Sequence, residues 1–379
     1  MGRKHIGLFF SYNANWIGGT YYWLNWVNVL NVLPDAEKPI LTIICKNRRD
    51  FAFVQSETKY PYLLYKRDKS SYSLLQKALN AITLRLIHKR VFVSKLKGDF
   101  DAVLPASIES EYLSSIPDEK KINWFPDFQY AHFPELYTPK TLTDAQCCAV
   151  HAAYMSNKLM LSSEDAKRDF ISLFPASKAK VYVQHFTVTH PDISNVDKER
   201  VLFKYGIDRP YYYSPNQYWA HKNHMVVIKA VEQLVKDVGK DILVLFSGKE
   251  WDDRNPEYVR NIKQYVSDRG LCNYIKFLGF IERKEQLLIM KEAIAVIQPS
   301  LFEGWSTVIE DAKALNKYVI ASRIPVNQEQ LNMNCCFFDP ISPIELATII
   351  KHKHFDVIPC EYSIHRLEQA RRFMNMVND

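Results

Sequence analysis

Glu303 and Asp311 are two acids with seven residues between them, and Gly304 directly follows the first. Before them runs Ala293–Ile297, an apolar stretch that reads as a strand buried on both faces of a parallel sheet. Pro299 and Gly304 break the backbone, and the spacing then predicts a helix from Ser306 or Thr307 to about Asn316. A strand, a glycine-containing loop and a helix start make a geometry that holds an anion, because free N–H groups and the helix dipole both favour negative charge. Glu303 lies in the loop, where a carboxylate can accept hydrogen bonds from sugar hydroxyls. On the helix, Val308, Ile309, Ala312 and Leu315 form the apolar face; Asp311 borders it and Glu310 points away. An ordinary strand–helix crossover with two solvated acids would carry the same letters, so other parts of the chain must decide.

This stretch resembles the donor site of retaining, family-4-type glycosyltransferases of the GT-B fold. Their signature is two acids at the same spacing, here with Asp311 in place of the more usual second Glu; Pro299-Ser300, Glu303-Gly304 and Ala312–Leu315 also match. The resemblance implies that Glu303 and the amides of Gly304, Trp305 and Ser306 hold the sugar, that Asp311 reads the ribose, and that Thr307 opens the phosphate-binding helix. The family's diphosphate site pairs an Arg with a Lys five residues later; Lys222 matches the Lys, and Gln217 stands where the Arg would be. Gly279-Phe280-Ile281 corresponds to the segment whose backbone reads the nucleobase. Many members also have a His-Asp pair in the first domain. Asp127 takes the Asp place, Pro126 takes the His place, and His132 on the same loop is a substitute. Gly18-Gly19 corresponds to a loop facing the acceptor and the donor phosphates.

Composition bounds this reading. At 379 residues the chain suits two α/β domains better than one core. A hydrophobic fraction of 47% with 24% charge describes a globular protein. No apolar run approaches the ~20 residues of a bilayer span, and Ile6–Phe10 is too short for a signal peptide and reads as a first strand. The seven cysteines show neither a disulfide framework nor CxxC metal spacing, so a reducing cytoplasm is the simplest setting. Charge is uneven: residues 1–210 hold 28 Lys+Arg against 21 Asp+Glu, and residues 211–379 hold 21 of each, so the net +7 lies in the first half. That excess suits anionic lipid headgroups or a lipid-linked pyrophosphate.

Along the chain, His5–Ser11 and Pro39–Cys45 read as buried strands, with a loop Asn13–Gly19 and an aromatic helix Thr20–Leu33 between them. Leu74–Val93 reads as a helix with Leu75, Leu79, Ile82, Leu86 and Val93 on one side and Lys77, Arg85, Lys89 and Arg90 among them; Lys95 and Lys97 follow. Such a basic amphipathic helix can lie on a membrane surface. Asp99-Phe100-Asp101 matches a metal-binding DxD only in letters, since it precedes a strand rather than following one. Ile122–Phe125 is a strand that feeds the loop Pro126–Glu135, and Lys180–Val183 closes the first sheet. After a connection over residues 184–210, Tyr211–Ser214, Ile242–Phe246 and Ile275–Leu278 begin a second strand–helix series, and Glu361–Val377 is a final amphipathic helix. GxGxxG, GxSxG, HExxH and P-loop patterns are absent, as is a nucleic-acid module.

The expected architecture is two doubly wound domains facing a cleft: residues 1–190 for the acceptor, 205–360 for the donor, and 361–379 crossing back to the first domain. The expected activity is retaining transfer of a sugar from a UDP- or GDP-linked donor to a saccharide or lipid-linked saccharide, in cell-surface polysaccharide synthesis, without metal or other cofactor. A cytoplasmic protein, peripheral on the inner face of the membrane, fits this activity. A sugar-nucleotide epimerase or a phosphorylase would use the same architecture. A non-catalytic sugar-binding partner subunit is the alternative motivated by Gln217 and Pro126.

Overall fold

The computed structural model describes residues 2–13, 17–68, 72–87, 91–92, 96, 98–106, 115–238, 242–252 and 254–379. Apolar segments without polar alternation become parallel strands covered on both faces. In the first half, β1 (His5–Phe9), β2 (Ile40–Cys45), β3 (Leu63–Arg67) and β4 (Ala102–Leu104) form an all-parallel sheet in the order β3-β2-β1-β4. A second parallel sheet contains β5 (Ile122–Phe125), β6 (Lys158–Leu161) and β7 (Lys180–Val183) in chain order. The Lys180–Val183 strand therefore does not close the first sheet, as the sequence suggested, but edges this separate one. The two sheets meet at the short β4: Val103 bridges to Lys121, and past Pro105, which has no N–H to donate, the Ala106 amide bonds the Ile122 carbonyl at 2.9 Å.

The second half is one six-stranded parallel sheet: β8 (Tyr212–Ser214), β9 (Val244–Phe246), β10 (Ile275–Phe277), β11 (Val296–Gln298), β12 (Val319–Ser322) and β13 (Cys335–Phe338). Its order is β10-β9-β8-β11-β12-β13, so the direction of winding reverses between β8 and β11. Open α/β sheets take ligands beyond the strand C-termini at such a reversal, and the loops leaving β8 and β11 are those that carry Lys222 and Glu303.

The last helix, Tyr362–Asn378, returns to the first domain, where Phe373 meets Trp26 with ring centroids 4.8 Å apart. Ala370, Met376 and Val377 join that core, and so do Trp305, Ile324 and Val326 from the second domain. One apolar cluster thus crosses the interface. The helix expected over 74–93 runs Leu74–Ile87. Three of its leucines stand in solvent: Leu74 is 87% exposed, Leu75 76% and Leu86 74%. Lys89, Arg90, Val93, Lys95 and Lys97 lie outside the described residues. Asp101 serves structure, accepting from the His5 amide and from Lys4. No described helix is long and apolar enough to cross a membrane.

Candidate active site

The β11 loop is built from within. Gln298 and Ser300, both buried, donate to Glu303 Oε1 from Nε2 and Oγ, each at 2.6 Å. Lys222, at the end of the β8 loop, reaches the same oxygen at 2.6 Å. The pair is nearly buried, with 14% and 7% of the two side chains exposed, which strengthens it relative to a surface ion pair. Ser306 then caps the Thr307–Ala314 helix by accepting from the Ile309 amide. Trp305 is pinned to the interdomain segment: its indole donates to the Phe186 carbonyl at 3.1 Å and lies flat on His185, centroids 4.2 Å apart.

Gly304 is where the domains press together. A Cβ here would lie 2.8 Å from the Pro126 carbonyl, 2.9 Å from Asp127 Cβ and 3.0 Å from Asp127 Oδ2. Only glycine lets the two loops approach so closely. Asp127 is thereby brought beside Glu303 and Lys222. Burial pushes its carboxyl above the usual range; the Gln129 amide (3.0 Å) and Lys222 oppose this, and the Glu303 charge adds to it. His132, four residues into this loop region, packs on Phe302 at 5.2 Å and bonds Asp169 at 2.9 Å. It therefore lines the cleft next to Glu303, with its Nε2 engaged by Asp169 and not by Asp127.

At the other end of the helix segment the outcome differs from expectation. Asp311 is fully enclosed: Arg283 grips it through two nitrogens at 2.7 and 2.5 Å, and His190 bonds Oδ1 at 2.9 Å. Burial pushes this carboxyl up, but Arg283 and His190 outweigh it and hold the group below its ordinary value. Three N–H groups already occupy acceptor sites on a carboxylate that has about four. A ribose diol cannot take both oxygens as the sequence suggested without displacing one of them. Glu310, expected to face solvent, is completely buried. It accepts from Lys313 (2.8 Å), Gln330 (2.9 Å) and the Tyr362 hydroxyl. It does point away from the apolar face, but the returning C-terminal helix covers that side.

Gly18 and Gly19 lie in the first turn of the Ile17–Leu30 helix rather than in a loop before it, so their amides are among the free donors of a helix start. Gly279 adopts φ +69°, and its carbonyl accepts from Gly248 at 2.9 Å; Phe280 beside it is 73% exposed, and Ile281 is buried. Gln217 is half-buried on the β8 loop. Lys222, Glu303, Gly304 and Asp127 therefore converge, while Asp311 and Glu310 are held in separate networks. Arg283, His190, Gln298 and His221 were missed from sequence, whereas Ser300 was already part of the Pro299-Ser300 match. His221 alone gave a local signal, as the neighbour of Lys222; it is buried, and burial plus the charges of Lys222 and Arg254 push it well below its ordinary value. Among the described residues there is no group of three or more His, Cys, Asp or Glu side chains suited to a metal ion.

Comparison with known proteins agrees with this geometry. Residues 197–352, within the second half of the chain, match the model of the family "Glycosyl transferases group 1". The O-antigen chain mannosyltransferase RfbU of Salmonella typhimurium is 29% identical over 171 residues. That alignment covers 42% of this chain and 45% of the relative, so the chain matches less than half of its length. Among solved structures, the Anabaena protein HepE in complex with UDP and glucose superposes with a TM-score of 0.67 at 16% identity, covering 98% of this chain and 100% of that one. A glycosyltransferase from Rickettsia africae gives 0.63 at 16%, covering 100% and 97%. The fold is that of GT-B glycosyltransferases.

Proposed function

We propose that the protein is a glycosyltransferase that moves a sugar from a UDP- or GDP-linked donor to a saccharide or lipid-linked saccharide, with retention at the anomeric carbon. The observation that carries the reading is the meeting of Lys222, Glu303 and Asp127 at the winding reversal of the second sheet, pressed against the first domain at Gly304. We assign donor binding to residues 205–360 and acceptor binding to residues 1–190 with the returning helix. Glu303 takes sugar hydroxyls; Lys222 and the amides opening the Thr307–Ala314 helix take the diphosphate. The bond between the anomeric carbon and the phosphate oxygen breaks, and its electron pair goes to the diphosphate, whose charge Lys222 and the helix stabilise. The acceptor hydroxyl forms the new bond from the same side, and its proton passes to the departing phosphate oxygen. Asp127 orients the acceptor beside Glu303. The chemistry of RfbU and its place in O-antigen assembly support a polysaccharide role.

The test is incubation with UDP- and GDP-sugars and membrane-derived acceptor in EDTA, with the product anomer read by NMR. Transfer with retention is expected. Inversion, dependence on Mn²⁺ or Mg²⁺, or epimerised donor in place of a coupled product would each contradict the proposal.

We also assign the Leu74–Ile87 helix to contact with anionic membrane. Its exposed leucines, with Lys77 and Arg85 and no acid on the helix, support this. Sedimentation with anionic vesicles should exceed that with neutral ones and fall with salt, as the Debye length drops to ~3 Å at 1 M; equal binding to both would remove the assignment.

A further inference from the structure

The reaction centre is short of positive charge. Asp127 and Glu303 are two carboxylates facing one lysine, Lys222, and a donor brings a diphosphate as well. Arg283 does not relieve the shortage, because both of its terminal nitrogens are bonded to Asp311. A second cation is nevertheless presented at the cleft. The loop leaving β9 folds directly over the loop leaving β8: a Cβ on Gly248 would collide with the Asn216 carbonyl, and the Tyr218 amide bonds Lys249 O at 3.3 Å. Arg254, at the end of this overlay, lies 5.3 Å over the Trp219 ring and 5.7 Å from that of Tyr137. Trp219 is three residues before Lys222; Tyr137 and Gln129 belong to the segment following Asp127. Arg254 thus sits between the donor loop and the acceptor loop.

Its orientation is fixed from behind. The nearly buried Asp252 holds Nε at 3.0 Å and NH2 at 3.4 Å. The NH1 edge faces Gln129 Oε1 at a long 3.4 Å. Between Arg254 and Lys222 lies His221, 4% exposed, whose Nδ1 is buried without a protein partner among the described residues. A buried polar atom without a partner costs stability, and beside two cations it fits a polar ligand.

We propose that Arg254 is a second cation of the donor's diphosphate site, supplied from the β9 loop. It rests on the nucleotide-sugar reading above. The guanidinium reaches the diphosphate with its NH1 edge, Trp219 and Tyr137 keep it flat, and Asp252 sets its angle.

The test compares affinities for UDP, GDP, UMP and GMP by calorimetry in the full chain, wild type against Arg254→Gln and Arg254→Lys. The nucleotide that the wild type prefers should bind about 10–100-fold more weakly as the diphosphate in Arg254→Gln, the range of one charge-assisted hydrogen bond. The matching monophosphate should change less than threefold, which a misfolded variant would not reproduce. Arg254→Lys should restore part of the loss, keeping the charge without the fork. Equal weakening of mono- and diphosphate, or unchanged diphosphate affinity with slower transfer, would overturn the assignment and move Arg254 to scaffold or acceptor. A wild type that binds neither diphosphate contradicts the nucleotide-sugar reading itself.

Discussion

The two acids of the β11 loop and its helix end in opposite situations. Glu303 meets one lysine and two neutral donors at a cleft between domains. Asp311, in the helix that follows, is closed by an arginine and a histidine. The first arrangement leaves a carboxylate and an ammonium that a ligand can separate and reuse. The second neutralises a buried charge where none could otherwise be kept. Equal spacing in sequence therefore says little about role; the partners decide, and they arrive from elsewhere in the chain.

The sharpest break in this comparison is Lys222→Ala. Loss of one contact to a developing anion costs ~3–4 kcal/mol, or about 10²–10³ in rate, so transfer should fall by that factor, and the melting temperature should also drop because Glu303 is left nearly buried without its cation. A loss below tenfold would place the diphosphate elsewhere. At the closed end, Arg283→Ala should act mainly on stability, lowering it by about 3 kcal/mol because Asp311 is left buried with only His190. A denaturant midpoint equal to wild type would show that Asp311 does not depend on the pair.

Glu310→Gln should lower stability by roughly 1–2 kcal/mol, since Lys313 and Tyr362 lose an ionised partner in a buried site. Gly304→Ala tests the contact between domains: with backbone on one side, the new methyl must push the Asp127 loop back, and activity should fall more than stability.

Acidity gives the smallest and most discriminating contrast. Asp311 is held below the ordinary carboxyl value of 3.8, so its contribution is present above 3.8 and lost as pH falls through the lower folded value. Asp127 is raised above 3.8, so whatever stability it contributes is present below 3.8 and lost as pH rises through the higher folded value. Melting curves against pH should therefore flatten on the acid side in Asp311→Asn and on the side above 3.8 in Asp127→Asn. The same flattening in both variants would contradict the opposite shifts.

Much of this was legible beforehand. Fully apolar runs such as Ala293–Ile297 and Ile242–Phe246 announced parallel strands, and the Glu303-Gly304 pair after one of them marked the loop. Helix geometry rightly put Ile309 and Ala312 inside. The failures share a cause. Glu310 was read as solvated because its cover comes from Gln330 and from Tyr362, which lies 52 residues on. Asp311 was read as free because Arg283 precedes it by 28 residues and His190 by 121. The apolar side of Leu74–Ile87 was legible, but periodicity reports amphipathicity and not whether a partner covers it. The split of the first half into two sheets falls at a three-residue strand, too short for its pairing to be read from sequence.

A crystal structure with the bound nucleoside diphosphate tests the central claim most directly. The account predicts phosphate oxygens within ~3 Å of Lys222 Nζ and of the amides that open the Thr307–Ala314 helix, with Glu303 released toward the sugar position and Asp311 still gripped by Arg283. A nucleotide bound away from the loops that leave β8 and β11, with the Lys222–Glu303 pair undisturbed, would contradict it.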